Sequence, residues 1–251
     1  MTAGDGGEER LESAAGVDAT SVPKRRLRLG CVAALCLVAV GIAYLAKAVG
    51  RAQEAAARAS CNLGGIQLAF HNYHAQYGHL PPAYSVDRDG RPLLSWRVLI
   101  LPYIEERELY AEFHLDEPWD SPHNIQLLER MPRSYEAPWK KRVDVPPYHT
   151  LCRVLVGPGT AFERPGLNLE KDFPDGPNDT LLFVEAGEPV PWTKPEAIEY
   201  DPSKPVELTG LFSEGFRSCV VGGSYRFIRY DTDPQVLHAL ITRNGGETMA
   251  Y

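Results

Sequence analysis

The sequence predicts an α+β protein: a long N-terminal helix, whose first half spans a membrane, packed on an antiparallel β-sheet, with short additional helices. Two observations support this class. The stretch Leu29–Tyr77 contains no proline and opens with an uncharged apolar run. From about residue 147 the helical spacing of apolar residues gives way to short β-rich segments. Helices followed by strands are typical of an α+β fold.

The first part of the chain has the pattern of a membrane anchor. Residues 1–26 are mostly small, polar and acidic, and are expected to be a disordered cytoplasmic tail. Lys24, Arg25, Arg26 and Arg28 come immediately before the apolar run Leu29–Ala46. Basic residues on one flank favour a cytoplasmic N-terminus. We therefore expect a single transmembrane helix over residues 27–49 and an extracytoplasmic domain over residues 50–251, at the inner (cytoplasmic) membrane of a bacterium.

Two alternatives fit the same run. A basic stretch, an apolar core and then small residues such as Ala46 and Ala48 also describe a cleaved signal peptide. A helix buried inside a domain is the other alternative. Nucleic acid is not an expected partner, because the net charge is −7 and no basic stripe occurs beyond the anchor's flank.

The second part of the stretch predicts a helix embedded in the domain. Its apolar positions alternate in steps of four and three residues and change from alanine to large aromatic side chains. They are Ala52, Ala56, Ala59, Leu63, Ile66, Phe70, Tyr73 and Tyr77. We expect burial from about Leu63 onward. Gly64-Gly65 is expected to be a close-packing notch or a bend, and Gly78 should end the helix.

Short elements follow in order. Ser95 should cap a helix that Pro102 kinks or divides, and Ser121 with Asn124 should begin another. Strands are expected around 148–156 and 180–187. Gly222-Gly223 lies between two β-rich runs, which predicts a hairpin with a two-residue loop. Asp233 and Pro234 should begin a last short helix.

The candidate binding residues are few. Asp172, Asp175, Asn178 and Asp179 offer oxygen ligands for a structural calcium ion, although turn-forming residues in a loop explain them equally well. Cys152 and Cys219 lie in strand-like segments and are the preferred pair if a disulfide forms.

Three further features have structural interpretations. His71 and His74 lie on one helical face, yet no third ligand stands at a recognisable spacing. Glu185 follows an apolar strand, and Lys194 is its candidate ion-pair partner. The four tryptophans favour core or interface positions over a sugar platform. No catalytic motif occurs, and we expect a protein that is not an enzyme.

Several segments in order resemble one family. They are CNLGGIQLAFHNYHAQYGHLPPAY, LLSWRVLILPYIEERELY, FHLDEPWDSPHN, FPDGPNDTLLFVEAGEPVPWTKPE, GGSYRFI and ALITRNGGE. Together they resemble the planctomycete-type pilin-like proteins built around domain of unknown function 1559, over about Ala46 to Glu247. The resemblance implies a type IV pilin or type II secretion pseudopilin-like fold.

The chain departs from that family at both ends. No phenylalanine follows Gly30 and the first turn of the apolar run has no glutamate, so a prepilin cleavage site is not evident. At the C-terminal signature, Phe212 and Gly222 stand where the family has His and Asp. The pattern indicates a permanently anchored member rather than a polymerising subunit.

These observations lead to two functional hypotheses. The first is a non-enzymatic, membrane-anchored protein with a structural or assembly role in the cell envelope or a secretion system, whose partners are the membrane and other pilin-like or envelope proteins. The second is a membrane-anchored, extracytoplasmic binding module for a solute or envelope polymer, and it would require a pocket lined by Trp192.

Overall fold

The computed structural model describes residues 63–136 and 144–246, together with Val38, Gly41, Ile42, Tyr44 and Lys47. The chain divides into two compact units, Met1–Ala55 and Ala56–Tyr251. The fold below is that of the second unit. The predicted tail and most of the predicted transmembrane segment lie outside the described residues.

The helices and strands alternate in small groups along the chain. Helix α1 covers residues 63–77. After it come β1 (Tyr84–Val86), β2 (Pro92–Ser95), α2 (Trp96–Leu99), α3 (Arg107–Glu112), β3 (His149–Arg153), β4 (Leu155–Val156), β5 (Leu181–Pro191), β6 (Ile198–Glu199), β7 (Gly215–Val220), β8 (Tyr225–Arg229) and α4 (Pro234–Ile241). Three 3₁₀ helices lie at Leu101–Tyr103, Asn124–Arg130 and Arg133–Tyr135.

Helix α1 is amphipathic and ends where the sequence predicts. Leu63, Ile66 and Phe70 are buried, and Tyr77 on the last turn is 52% exposed. Gly78 has a φ of 77° and its amide donates to the carbonyl of His74. A glycine in this conformation closes a helix without Cβ strain. Burial from Leu63 onward is confirmed.

The prediction of one long N-terminal helix with a membrane-spanning first half is wrong. The described helix α1 has only about four turns, roughly 22 Å, and one of its faces is polar. Crossing a bilayer takes about 20 consecutive apolar residues. Within the part of the chain that the structure describes, no helix is both long and apolar enough to span a membrane.

The two glycines of α1 play different parts. A Cβ at Gly64 would lie 2.8 Å from the Tyr225 hydroxyl, whereas a Cβ at Gly65 would meet nothing within 4 Å. Gly64 is therefore the close-packing notch. Because alanine favours a helix over glycine by about 1 kcal/mol, we expect Gly65→Ala to raise the free energy of unfolding by about that amount. Gly64→Ala should raise it by less.

Urea unfolding followed by circular dichroism measures both effects. In a Tyr225→Phe background, which lacks the obstructing oxygen, Gly64→Ala should raise the free energy of unfolding by about as much as Gly65→Ala does. Equal gains for the two alanines in the wild-type background would contradict the notch.

The central sheet has four antiparallel strands in the order β3–β5–β7–β8. The antiparallel sheet and the β7–β8 hairpin are confirmed. The hairpin loop is longer than predicted, because the Val220 amide donates to the Ser224 carbonyl and leaves three residues between them. Gly223 takes a φ of 94° after the turn, as three-residue loops require.

Apolar layers cover both faces of this sheet. On one face, Phe70 of α1 packs against Trp96 and Phe183, with ring centroids 4.9 and 6.1 Å away. On the other face, Phe216 and Val220 of β7 belong to a cluster with Leu240 and Ile241 of α4. The sheet is thus held between an N-terminal and a C-terminal helix.

The predicted Cys152–Cys219 disulfide is not present: both residues are buried free thiols. Cys152 lies on β3 and Cys219 on β7, with β5 between them. Two strand spacings alone put roughly 9–10 Å between their Cα atoms, and a two-residue offset in register along β5 adds to this distance. A disulfide needs at most about 7 Å. The sequence places both residues in strands, and only the strand order shows that the strands are not neighbours.

Both thiols should resist chemical modification in the folded protein. Burial raises the pKa of Cys152 and that of Cys219 to about 12. Because only the thiolate reacts, labelling at pH 8 should be on the order of 1000-fold slower than in denaturant. A full chain with Cys31, Cys36 and Cys61 changed to serine, treated with a chromogenic disulfide reagent, measures this. Rapid labelling of the native chain would contradict the burial.

Candidate functional site: a tyrosine groove

One buried arginine fixes helix α2, and the turn that follows it, to the sheet. Arg97 of α2 is fully buried and donates hydrogen bonds to the carbonyls of Trp192 and Cys152, each at 2.7 Å, and of Lys194 at 3.1 Å. Burial is the main reason why its pKa falls to about 9. The guanidinium is still charged at neutral pH, so Arg97 ties α2 to strand β3 and to the chain around the end of β5.

Local sequence explains why the chain turns sharply after α2. The Ser95 hydroxyl accepts a hydrogen bond from the Arg97 amide and caps α2, as predicted. Pro102 then lies in the 3₁₀ helix Leu101–Tyr103, which separates α2 from α3. Glu105 has a φ of 66° and completes the reversal. Tyr103 is thereby brought opposite the last turns of α1.

Four tyrosines meet where α1 approaches this turn. Tyr73 is the central ring, 4.5 Å from Tyr77 and 5.9 Å from Tyr103 between centroids. Tyr110 of α3 completes the set. The Tyr103 hydroxyl donates to Gln76 Oε1 at 2.6 Å. Together with Leu99, Pro102 and Arg107, these residues line an open groove of about 310 Å³.

Burial favours the protonated form of three of the tyrosine hydroxyls. Burial is the main cause that raises the pKa of Tyr73, Tyr103 and Tyr110, and the Tyr77 hydroxyl raises each further. For Tyr103 the value reaches about 12. Neutral hydroxyls both donate and accept hydrogen bonds. The groove therefore presents several uncharged polar groups beside aromatic faces.

The charge around the groove is negative. Glu105, Glu106 and Glu108 lie next to Arg107 in sequence, and the four residues line an adjoining depression with Arg130. Arg130 pairs with Glu112 of α3. This part of the surface thus has two arginines and four carboxylates, so its net charge is negative. An anionic ligand would meet repulsion here, whereas an uncharged polar one would not.

The predicted calcium residues do not share a ligand position. Asp172 accepts from Arg164 and from the Asn168 amide, Asp175 accepts from the Gly246 amide, and Asp179 pairs with Arg226. Across residues 63–136 and 144–246, no three His, Cys, Asp or Glu side chains form a group able to hold a metal ion. The carboxylates instead pin loops to different partners.

The two helix histidines act separately. His71 Nε2 lies 2.8 Å from the Val221 carbonyl, and His74 Nε2 accepts from the Leu169 amide at 3.2 Å. Each therefore joins α1 to a different loop. The two histidines share a helix face, as the sequence indicates, but each ring contacts a different backbone group.

Glu185 and Lys194 do not form the ion pair that the sequence suggests. Glu185 is 3% exposed and binds Arg217 on the adjacent strand β7. Lys194 pairs with Glu196 instead. Burial is the main cause that raises the pKa of Glu185.

Trp192 is a core residue. Its side chain is fully buried and its indole donates to the Leu128 carbonyl at 2.9 Å. The pocket around Trp192 that the binding hypothesis required is therefore filled by the protein itself. The second hypothesis needs a different surface.

The tyrosine groove is not evident from the sequence, because the spacing of these four rings is that of core positions. Tyr73 and Tyr77 follow the helical seam, and Tyr103 and Tyr110 recur at helical spacing in the next segment. Periodicity reports which face is apolar, but not whether another layer covers it. The signal that distinguishes them is the residue type, since tyrosine has both an apolar ring and a polar tip.

Comparison with known proteins gives one match. Residues 50–153 match the family described as "Protein of unknown function (DUF1559)". The matched range includes every residue that lines the tyrosine groove. No curated protein matches the chain, and no solved structure matches it.

Proposed function

Because residues 50–153 match the DUF1559 family, whose function is not defined, we propose a function from the geometry. The chain is a non-catalytic binding module that holds a polar polymer of the cell envelope in its tyrosine groove. The observation that carries this proposal is the meeting of Tyr73, Tyr77, Tyr103 and Tyr110 at an open surface.

The form of the groove supports binding over catalysis. Its polar groups are phenol hydroxyls, one amide and one guanidinium, and the pKa of three of the hydroxyls is raised. A general base or an activated nucleophile needs the opposite shift in a hydroxyl. Tyrosine supplies large contact area at a low cost in side-chain entropy, which suits recognition.

The position of the groove also supports binding. Tyr103 lies on a short turn that Arg97 fixes to the sheet, and Tyr73 packs against the domain core. A ligand would meet a surface that is already ordered, which reduces the entropy lost on binding.

The proposed location is the outer side of the cytoplasmic membrane. The basic cluster before the apolar run Leu29–Ala46 supports this orientation. A structural role in a pilus-like or secretion assembly is supported by sequence resemblance alone and stays a prediction. The partners proposed here are the membrane and an envelope polymer.

Co-sedimentation with envelope material tests the proposed function. The full chain is mixed with the insoluble envelope fraction of the source cell, and the pelleted fraction is measured. We expect Tyr77→Ala to reduce that fraction at least fivefold. Tyr225→Ala is the matched control, because Tyr225 is similarly exposed, at 44% against 52%, and lies on β8.

Two results would contradict the proposal. The first is equal sedimentation of the wild type, Tyr77→Ala and Tyr225→Ala, which would mean that another surface binds. The second is no sedimentation of the wild-type chain above a blank. Circular dichroism of each variant shows whether it is folded.

A further inference from the structure

We propose that the ligand of the tyrosine groove is an uncharged glycan chain. This inference rests on the proposed function and narrows it from any polar polymer to one chemical class. It follows from three properties of the groove: its inventory of hydrogen-bonding groups, its charge and the exposure of its rings.

The hydrogen-bonding groups match a ligand rich in hydroxyls. Tyr103 donates to Gln76 Oε1, so the amide nitrogen of Gln76 keeps two donors for a ligand. Gln76 is exposed and stands beside Tyr77 at the end of α1. The tyrosine hydroxyls and the Gln76 amide of the groove can therefore both donate and accept hydrogen bonds. A sugar ring offers the same mixture of donors and acceptors along its edge.

The charges around the groove disfavour the common anionic polymers. Arg107 is the one cation among the groove residues, and Glu105, Glu106 and Glu108 surround it in sequence. These carboxylates line a depression that shares Arg107 with the groove, and they weaken the attraction of Arg107 for an anionic ligand. A phosphate-rich or uronic-acid chain would have to approach a net negative surface. An uncharged chain has no such cost.

The rings provide stacking surfaces that a sugar needs. Tyr77 is 52% exposed, at the rim of the groove. Tyr73 and Tyr77 are tilted by 45° with centroids 4.5 Å apart, so they form an angled platform rather than a closed cage. Apolar C–H faces of a pyranose pack on such rings while the hydroxyls at the ring edge reach Gln76. An open groove also lets a long chain pass through.

The principal alternative occupant is a proline-rich peptide, which also binds grooves lined by aromatic rings. Such a peptide displays carbonyl acceptors but has no backbone N–H donor at proline. It would offer no donor to the phenol oxygens of the groove, whereas a sugar hydroxyl would. The hydroxyl-rich groove therefore favours the glycan.

Affinity gel electrophoresis and titration calorimetry test the inference with defined probes. The full chain is titrated, in a buffer without sugar-based detergent, with neutral glucan and mannan oligosaccharides, an oligogalacturonate and a decaproline peptide. We expect binding to a neutral oligosaccharide only. Tyr77→Ala should weaken it at least tenfold and Gln76→Ala at least threefold, whereas Tyr225→Ala should leave it within twofold.

The outcomes separate this inference from the proposed function. Envelope binding that depends on Tyr77, with no binding to neutral oligosaccharides, would overturn the glycan and keep the binding module. Preference for decaproline, or for oligogalacturonate with loss in Arg107→Ala, would likewise replace the glycan by a peptide or an acidic polymer. Neutral oligosaccharide binding unaffected by Tyr77→Ala would overturn both.

Discussion

Replacing Arg97 by methionine is expected to lower the free energy of unfolding by about 3–5 kcal/mol. The guanidinium donates to the carbonyls of Cys152, Trp192 and Lys194. Each buried carbonyl that loses its donor costs about 1–3 kcal/mol. Methionine also removes a buried charge, and the removal of that desolvation cost offsets part of the loss. The expected total is therefore near the lower end of the sum for three carbonyls. Urea unfolding measures the change.

Two other variants make this result specific. Arg91→Met removes a guanidinium that is 77% exposed, and its effect should stay within about 0.5 kcal/mol. Arg97→Lys keeps the charge but loses the fork of donors, so its loss should fall between the two. An Arg97→Met chain as stable as the wild type would show that the three carbonyls find other donors.

Gly157→Ala is expected to cost about 2–5 kcal/mol. Gly157 has a φ of 140°, where an alanine is strained. Its Cβ would also overlap the Tyr200 carbonyl oxygen. That overlap would push apart the parallel strands β4 and β6, whose junction includes the hydrogen bond from the Tyr200 amide to the Val156 carbonyl. Thermal unfolding monitored by calorimetry measures the loss.

Gly166→Ala is the matched control for Gly157→Ala. Gly166 has a φ of 83°, yet a Cβ there would meet nothing within 4 Å. This variant should show only the backbone strain, about 1–2 kcal/mol. If the two substitutions lower the stability equally, the overlap with Tyr200 has no effect and backbone strain explains both losses.

Elements with a local cause could be predicted from the sequence. The Ser95 cap, the end of α1 at Gly78 and the β7–β8 hairpin each depend on a few adjacent residues. The start of α4 is similar, since the Asp233 side chain accepts from the Gln235 amide. These features follow from the preferences of the residues themselves.

Features that depend on distant pairing could not be predicted. The partner of Glu185 is Arg217 because β7 lies beside β5, and the same order separates Cys152 from Cys219. The absence of proline permits a long helix but does not require one, and the described helix α1 covers only residues 63–77. The tyrosine groove belongs to this group, because it joins α1 to a turn that begins more than twenty residues later.

The way Arg97 recognises its partners has a consequence for how such chains diverge. All three acceptors are main-chain carbonyls, belonging to Cys152, Trp192 and Lys194. Every residue type has such a carbonyl, so these three hydrogen bonds do not require particular side chains at those positions. Related chains can change the thiol or the lysine and keep the same attachment of α2. The residues around Tyr103 and Arg107 can then change while the connection to the sheet stays constant.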